Sequence, residues 1–158
     1  MNNAEELVAD LEDENLDHMH LIFTVNTEAY GVQIEYVTEI VGLQKIVEVP
    51  DVPNFIKGVI NLRGQVIPVM DVRIRFKMPT QAYDDRTVII VLEHKDVKTG
   101  LIVDGVSDVL ELSDDEISPP PRKEDSNNAI ITGVGQKEDK ISFLLDVERL
   151  LYATLHSN

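Results

Sequence analysis

The sequence predicts an all-β fold built as small barrels or a sandwich. Short segments with apolar residues at every second position recur along the chain, as half-buried strands require. Glycine and proline residues separate these segments at regular intervals, which is typical of small β-domains. The chain has 158 residues, a length that suits one domain, and 43% of them are hydrophobic, enough to form a core without disulfides.

The first hairpin is predicted near the beginning of the ordered region. Residues 21–26 and 30–35 each alternate between two sheet faces, and the polar pair Thr27–Glu28 separates them. Residues 37–41 then place their apolar side chains at helical spacing. This spacing predicts a single helical turn before the next strand.

A second hairpin is predicted from residues 58–62 and 66–70, which flank the turn of Arg63, Gly64 and Gln65. Gly64 supplies the positive φ that a tight turn needs. Pro68 has no N–H to donate, so its strand is predicted to be an edge strand, to be bulged, or to be unpaired at that residue. We therefore expect a sheet edge near this hairpin that is available for docking.

The rest of the chain predicts further strands and one helix. Residues 87–92 form a β-branched run without alternation, as expected of a strand buried on both faces. Two more strands follow, with a bend at Gly105, and a surface loop is predicted after Ile117, from Pro119 to Asn128. Strands then resume at Ala129 and Ile141. The final predicted helix is capped by Asp146 and buries Val147, Leu150 and Leu151.

Residues 1–19 are predicted to be an acidic and flexible lead-in, either a frayed helix or disordered. Residues 20–152 are predicted to form a single domain with two subdomains, and residues 153–158 a short tail. The acidic start lacks the pattern of a secretory signal, and no apolar run reaches membrane-spanning length. We therefore expect a cytoplasmic protein without direct membrane insertion.

Composition also restricts the possible partners. The chain has no cysteine, which excludes disulfides and thiolate chemistry. A net charge of −15 repels phosphate backbones and anionic lipids, so nucleic acid and membrane surfaces are not expected partners. Protein partners remain.

Three aspartates are candidates for a chemical site. Asp71, Asp104 and Asp146 each follow two aliphatic residues, and paired carboxylates of this kind can catalyse acid and base steps. Aspartate at the end of a strand more commonly caps the following turn, and no nucleophile accompanies these residues. We therefore predict no catalytic residue and no enzyme activity.

The histidines match no metal-ligand spacing, so neither a metal nor a cofactor is predicted; they are His18, His20, His94 and His156. Gly133 and Gly135 lack the lysine or third glycine of a phosphate cradle and are interpreted as turn residues.

Charged residues near the second hairpin are candidates for protein contacts. Lys57, Arg63, Arg73 and Arg75 form a local basic cluster, which could bind an acidic partner or balance nearby carboxylates. At a hairpin tip, Arg63 could pair with a carboxylate through two hydrogen bonds or remain a solvated turn residue. Glu39 stands beside apolar residues and marks either a strand rim or a docking surface. The pattern leaves these alternatives open.

Residues 55–73, FIKGVINLRGQVIPVMDVR, resemble the signature of the CheW family of chemotaxis coupling proteins. The resemblance covers nearly all of the chain from about Leu21 to Leu151. Beyond the signature it is carried by residues 30–32, 37–40, 100–110, 117–120 and 144–146.

The resemblance implies two intertwined five-stranded β-barrels of SH3-like topology with a shared core, followed here by the short C-terminal helix. It also implies a non-catalytic adaptor that couples methyl-accepting chemoreceptors to a CheA-type histidine kinase in bacterial chemotaxis arrays. The adaptor would bind the regulatory domain of the kinase and the cytoplasmic tips of the receptors. It would be cytoplasmic and would reach the membrane-bound arrays through these partners.

Carried over by position, the resemblance also implies two sets of contact residues. The kinase-binding set is Val37, Glu39, Ile46, Lys57 and Arg63. The receptor-binding set, expected near a groove between the barrels, is Gly58, Gly64, Thr87, Val88, Val106 and Val109.

Two other functions are alternatives to a coupling adaptor. One is a scaffold of a receptor-independent or non-motility chemosensory cluster, which would look identical at the level of sequence. The other is an input module attached to a phosphorylatable receiver domain, for which 158 residues leave no room.

Overall fold

The structure is a computed structural model that describes Leu16, residues 18–120 and residues 130–155. These residues form two β-sheets and two short α-helices. The strands are β1 (Met19–Val25), β2 (Glu28–Gln33), β3 (Val37–Gly42), β4 (Ile56–Leu62), β5 (Gln65–Asp71), β6 (Val88–His94), β7 (Val97–Val103), β8 (Gly105–Glu111), β9 (Ile117–Ser118), β10 (Ile131–Lys137) and β11 (Lys140–Leu145). The helices are α1 (Val72–Arg75) and α2 (Val147–Leu155), and single 3-10 turns span Ile34–Tyr36 and Asp114–Glu116.

The two sheets are intertwined along the chain. The first sheet has the order β8-β1-β2-β11-β10-β9, and the second has the order β3-β6-β7-β5-β4. The chain leaves the first sheet after β2, completes the second sheet, and returns at β8. Each sheet contains one parallel pair, β2 with β11 and β5 with β7, among antiparallel neighbours. This arrangement confirms the all-β prediction of two SH3-like barrel subdomains, with a sixth, two-residue strand in the first.

The edges of the second sheet, β3 and β4, are joined across the barrel. After β3 the chain turns back so that Val47 pairs with Val59 of β4, and each N–H donates to the other's carbonyl at 2.9 Å. Glu39 of β3 also forms an ion pair with Arg63 in the β4–β5 turn. At Val59 this edge is therefore paired with the chain itself, where the sequence had predicted an edge open for docking.

One core joins the two sheets. Its largest cluster includes Leu21 and Phe23 of β1, Ile90 and Leu92 of β6, and Leu150 of α2, each completely buried. A smaller core cluster lies inside the second sheet, and Ile89 and Val91 contribute to it from the opposite face of β6. The prediction that residues 87–92 form a strand buried on both faces is confirmed.

The predicted helical turn at residues 37–41 is wrong, because these residues form β3. The register of β3 against β6 shifts between Val37 and Glu39, so one extra residue is inserted. A bulge of this kind lets Val37 and Ile40, three positions apart, both reach the larger core cluster. The spacing therefore imitates a helix, and the nearby 3-10 turn precedes it, at Ile34–Tyr36.

Pro68 lies in an interior strand, so the edge alternative predicted for it is wrong. It stands opposite Val59, whose N–H and C=O both bond to Val47 on the far side of β4. The missing N–H of Pro68 therefore breaks no bond to β4, and the ladder from β5 to β7 begins one residue later, at Val69. The proline is tolerated because neither neighbouring strand needs a hydrogen bond from an N–H at this position.

The C-terminal helix follows its prediction. The carboxylate of Asp146 accepts a hydrogen bond from the N–H of Arg149 at 3.1 Å, and Val147, Leu150 and Leu151 are buried. The acidic lead-in up to residue 15, most of the loop after Pro120, and Ala129 lie outside the described residues. Within the described ranges, neither helix is long and apolar enough to cross a membrane.

Candidate functional site

The tip of the β4–β5 hairpin presents a charged pair on the surface of the second sheet. Arg63 and Gly64 form the two-residue turn, with φ angles of 53° and 85°, as a type I′ turn requires. The Asn61 side chain accepts a hydrogen bond from the Gly64 N–H at 2.9 Å and fixes the turn. In this conformation the guanidinium of Arg63 donates from Nη2 to Oε2 of Glu39.

The ion pair between Glu39 and Arg63 resolves one of the alternatives that the sequence left open. Arg63 pairs with a carboxylate of its own chain, while its side chain remains 68% exposed. Glu39 is less exposed, at 25%, because it stands on β3. Exposed pairs contribute only about 0.2–1 kcal/mol to stability. The pair is therefore dispensable for folding and accessible to a partner.

An apolar surface, which the sequence analysis missed, lies beside this pair. Val47 pairs with Val59, and Val59 pairs with Pro68, so these three residues share the outer face of the sheet. Two positions along the same strands, Val66 stands opposite Asn61 on that face. We call these five residues the β4–β5 face. Val47 is 54% exposed and Val66 is 66% exposed, so the face presents neighbouring apolar side chains to solvent.

Gly58 explains how the β4–β5 face is assembled. Its φ is 147°, and a Cβ atom there would lie 2.1 Å from the carbonyl oxygen of Val47. Only glycine therefore lets the segment that carries Val47 lie against β4. Gly58 is buried, and its close approach is to this chain.

The predicted kinase-binding residues gather on this side of the molecule. Glu39, Lys57 and Arg63 have solvent-accessible side chains, and Ile46 packs partly against the smaller core cluster. Val37 is only 8% exposed and belongs to the larger core cluster, so little of its side chain remains for a partner.

A second surface lies where the two sheets meet. A cleft of about 360 Å³ is lined by the β1–β2 turn, the corner between β5 and α1, residues 81–87, and Asp104 in the bend between β7 and β8. Thr87 lines this cleft. Val88 follows it on β6, while Val106 and Val109 lie on β8, the edge strand of the first sheet, and all three valines are half-buried against the larger core cluster.

The predicted receptor-binding set is thus divided by the structure. Thr87 lines the cleft, and Val88, Val106 and Val109 pack partly exposed against the larger core cluster. We call the surface formed by these four residues the junction groove. Gly58 and Gly64 lie elsewhere, on β4 and in the β4–β5 turn, next to the predicted kinase-binding residues.

An ion pair at the floor of the cleft was also missed by the sequence analysis. Arg73 is only 7% exposed, and its Nε and Nη2 donate to the two carboxylate oxygens of Asp104 at 3.1 and 2.7 Å. Asp104 also accepts from the N–H of Asn26 at 2.8 Å. Burial alone would raise the pKa of the Asp104 carboxyl, but the hydrogen bonds from Arg73 and Asn26 hold the pKa below its usual value.

The three aspartates considered as acid and base groups have structural partners. Asp71 caps α1 through the N–H of Ile74 at 3.3 Å and accepts from the hydroxyl of Tyr83 at 2.7 Å. Asp146 caps α2, as predicted. Asp104 departs from the predicted capping role, because its bonds reach other elements of the fold.

Of the two alternatives for the basic residues, balance of nearby carboxylates holds for Arg63 and Arg73. Arg63 pairs with Glu39, Arg73 is buried with Asp104, and Arg75 lies over the ring of Phe55 at 5.2 Å from its centroid. Burial lowers the pKa of the Arg75 guanidinium. Each cation therefore serves a different local contact, and Lys57 alone remains on the β4 surface as predicted.

Two of the histidines lie near polar groups of this chain. His20 Nδ1 lies 3.0 Å from the carbonyl oxygen of His18, and His94 Nε2 lies 3.7 Å from the carboxylate of Glu148. In the part of the chain that the structure describes, no three His, Cys, Asp or Glu side chains are grouped to hold a metal ion. His156 lies outside that part.

Comparisons with known proteins agree with this architecture. The CheW-like domain family matches residues 19–154. The chemotaxis protein CheW of Klebsiella aerogenes is 39% identical over 145 residues, which cover 91% of this chain and 87% of that protein. The chemotaxis protein CheW of Bacillus subtilis is 34% identical over 132 residues, covering 83% and 85%.

A solved structure shares the fold as well. The crystal structure of the scaffolding protein TtCheW from Thermoanaerobacter tengcongensis superposes with a TM-score of 0.75 and 34% sequence identity. The match covers 82% of this chain and 88% of that one. The chain therefore belongs to the CheW-like domain family, whose members serve as coupling adaptors in chemotaxis.

Proposed function

We propose that this chain couples methyl-accepting chemoreceptors to a CheA-type histidine kinase by binding both at the same time and catalysing no reaction. The observation that carries this proposal is the presence of two candidate docking surfaces on different parts of one body. The β4–β5 face and its charged pair lie on the second sheet, and the junction groove lies between the sheets.

The β4–β5 face suits the regulatory domain of the kinase. Arginine, like tryptophan and tyrosine, is among the residues that contribute most to binding between proteins when it lies at the centre of a patch. Arg63 is already oriented by Glu39, so a partner carboxylate would meet a guanidinium whose position is largely fixed. Val47 and Val66 supply apolar contacts on the same side of the sheet.

The junction groove suits the helical tip of a receptor. An amphipathic helix binds by placing its apolar face in a groove lined with aliphatic side chains. We infer that Val88, Val106 and Val109 supply such aliphatic contacts, because each is only half-buried. Thr87 adds a hydroxyl at the end of the groove, where it caps the turn at Asp84.

Both partners fit on the molecule together. The chain exposes 9550 Å² of accessible surface, while a standard interface takes about 800 Å² from each partner. Weak contacts at both surfaces would add up when many receptors and kinases are held in one array. The chain would then couple receptor and kinase by holding them at fixed positions, without a chemical step.

The proposed location follows from these partners. A net charge of −15 opposes direct association with an anionic membrane surface. We propose that the chain is cytoplasmic and reaches the membrane through the receptor tips that it binds.

A bridging experiment tests this function. Receptor tip fragments are immobilised, and capture of the isolated kinase regulatory domain is measured with and without the chain. We expect capture only when the chain is present. Binding of the kinase domain without binding of the receptor tip would instead indicate a receptor-independent scaffold, and binding of neither would contradict the proposal.

A further inference from the structure

Arg73 connects four segments of the fold at the floor of the cleft. It lies on α1, and both nitrogens of its fork pair with Asp104 in the bend before β8. Its third nitrogen, Nη1, donates to the carbonyl oxygen of Pro79 at 3.1 Å. Asp104 in turn accepts from Asn26 in the β1–β2 turn. One buried guanidinium thus connects the two sheets with the loop after α1.

The segments held by Arg73 lead directly into the junction groove. The loop that begins at Pro79 ends at Thr87 and continues into Val88. The bend that contains Asp104 continues into β8, which carries Val106 and Val109. Arg73 therefore joins the segments that lead into the two sides of the groove. Its own side chain lines the adjoining cleft.

The loop after α1 has a second anchor on the same corner. Tyr83 donates its hydroxyl proton to Asp71 at 2.7 Å, and Asp71 lies two residues before Arg73. Within the loop, Asp84 and Thr87 exchange further hydrogen bonds. These hydrogen bonds attach the loop to the corner between β5 and α1. A displacement of that corner is therefore expected to displace Thr87 as well.

We infer that Arg73 is a positioning residue for receptor binding: it sets the separation between the loop of residues 79–87 and β8, and so sets the width of the junction groove. This inference rests on the proposed function of the groove. Asp104 and the carbonyl of Pro79 accept from nitrogens of one rigid, planar group. A lysine in the same place keeps the charge but cannot span all three acceptors.

The width of the groove is measured first, without any partner. Because the chain has no cysteine, two can be introduced for spin labels at Gln81 in the loop and Ser107 on β8, both of which are exposed. We expect one narrow distance distribution for the parent protein and a broad or shifted one for Arg73→Gln. Arg73→Lys should give an intermediate result, and Lys95→Gln, which removes an exposed charge from the turn between β6 and β7, should change nothing.

Binding is measured second, on the unlabelled variants. Arg73→Gln should bind the receptor tip about tenfold more weakly and the kinase regulatory domain within about twofold of the parent. Should Arg73→Gln fail to fold, Asp104→Asn removes the charge pair while keeping the side-chain shape and replaces it in both measurements.

Three results are distinguishable. An unchanged distance distribution overturns the inference, whatever happens to binding. A parallel loss of affinity for both partners also overturns it, because the effect would then be general destabilisation. If the parent protein does not bind receptor tips at all, the proposed function fails, while the distance measurement still decides whether Arg73 sets the groove.

Discussion

At the scale of single residues, the polar side chains of this molecule are held either by close neighbours in the chain, as Asp146 is, or by groups from distant elements, as Arg73 is. Asp146 was predicted to cap α2 because a capping bond reaches only three residues along the chain. Arg73 and Asp104 are separated by 31 positions. No local pattern distinguishes such a pair from two solvated charges, so the sequence left open whether the basic residues balance nearby carboxylates or bind an acidic partner.

Arg63 gives the first prediction at this scale. Arg63→Ala should weaken binding to the kinase regulatory domain by about 2 kcal/mol, as truncation of a central arginine commonly does. It should lower the free energy of unfolding by no more than about 1 kcal/mol, because its ion pair is exposed. Titration calorimetry and urea unfolding measure the two effects.

Two controls accompany this variant. Lys140→Ala removes an exposed cation from the first sheet and should leave kinase binding unchanged. The exchanged pair Glu39→Arg with Arg63→Glu restores the ion pair with its charges reversed and should not restore kinase binding. Full kinase affinity in either Arg63 variant would contradict a role for its guanidinium at the interface.

The pH dependence of stability gives a prediction for Asp104. Its pKa is lowered in the folded protein, so the ion pair stabilises the fold above the unfolded pKa of about 3.9. This stabilisation is lost as the pH falls through the folded pKa. Asp104→Asn should therefore be less stable at pH 7, by about 1–2 kcal/mol because the side chain is partly exposed to solvent.

The difference between parent and Asp104→Asn should shrink as the pH falls from 5 toward 3, because the parent then loses the same charge. Urea unfolding at a series of pH values measures it. A difference that stays constant over this range would show that the charge of Asp104 contributes nothing to stability.

At the scale of elements, the alternation of apolar and polar residues identified the strands wherever a strand is regular. Hairpins β1–β2 and β4–β5 appear where alternation predicted them. At β3 the bulge adds a residue, and the period of two becomes three for one step. A single bulge is enough to make a strand resemble a turn of helix, since both place Val37 and Ile40 on one side.

Gly58 provides a test of how the edge of the second sheet is closed. Gly58→Ala places a Cβ 2.1 Å from the Val47 carbonyl oxygen and also requires a strained φ. We expect a loss of about 3 kcal/mol in the free energy of unfolding. Hydrogen exchange of the Val59 N–H, which donates to Val47, should accelerate more than that of residues in β6.

Gly64→Ala is the matched control for this variant. Gly64 also has a positive φ, of 85°, but a Cβ there meets nothing within 4 Å. Its substitution should cost only the strain of the left-handed conformation, about 1–2 kcal/mol. Equal losses for the two glycines would mean that contact between Val47 and β4 does not hold the edge in place.

At the scale of the whole molecule, strand order was beyond what periodicity can predict. Alternation assigns a face to each residue but does not say which strands are neighbours, and β2 with β11 lie more than a hundred positions apart. The intertwined barrels were expected only from the resemblance to the CheW family. The apolar β4–β5 face was missed for the same reason, since Val47, Val59 and Val66 meet through pairing between strands.

We propose that the β4–β5 face and the junction groove bind the kinase regulatory domain and the receptor tip independently. The most direct test is the affinity of the chain for the kinase regulatory domain, measured by calorimetry without receptor tips and again at saturating receptor tips. Independent binding predicts the same affinity in both titrations. A marked loss of affinity would mean that the partners compete for one surface, and would contradict the claim.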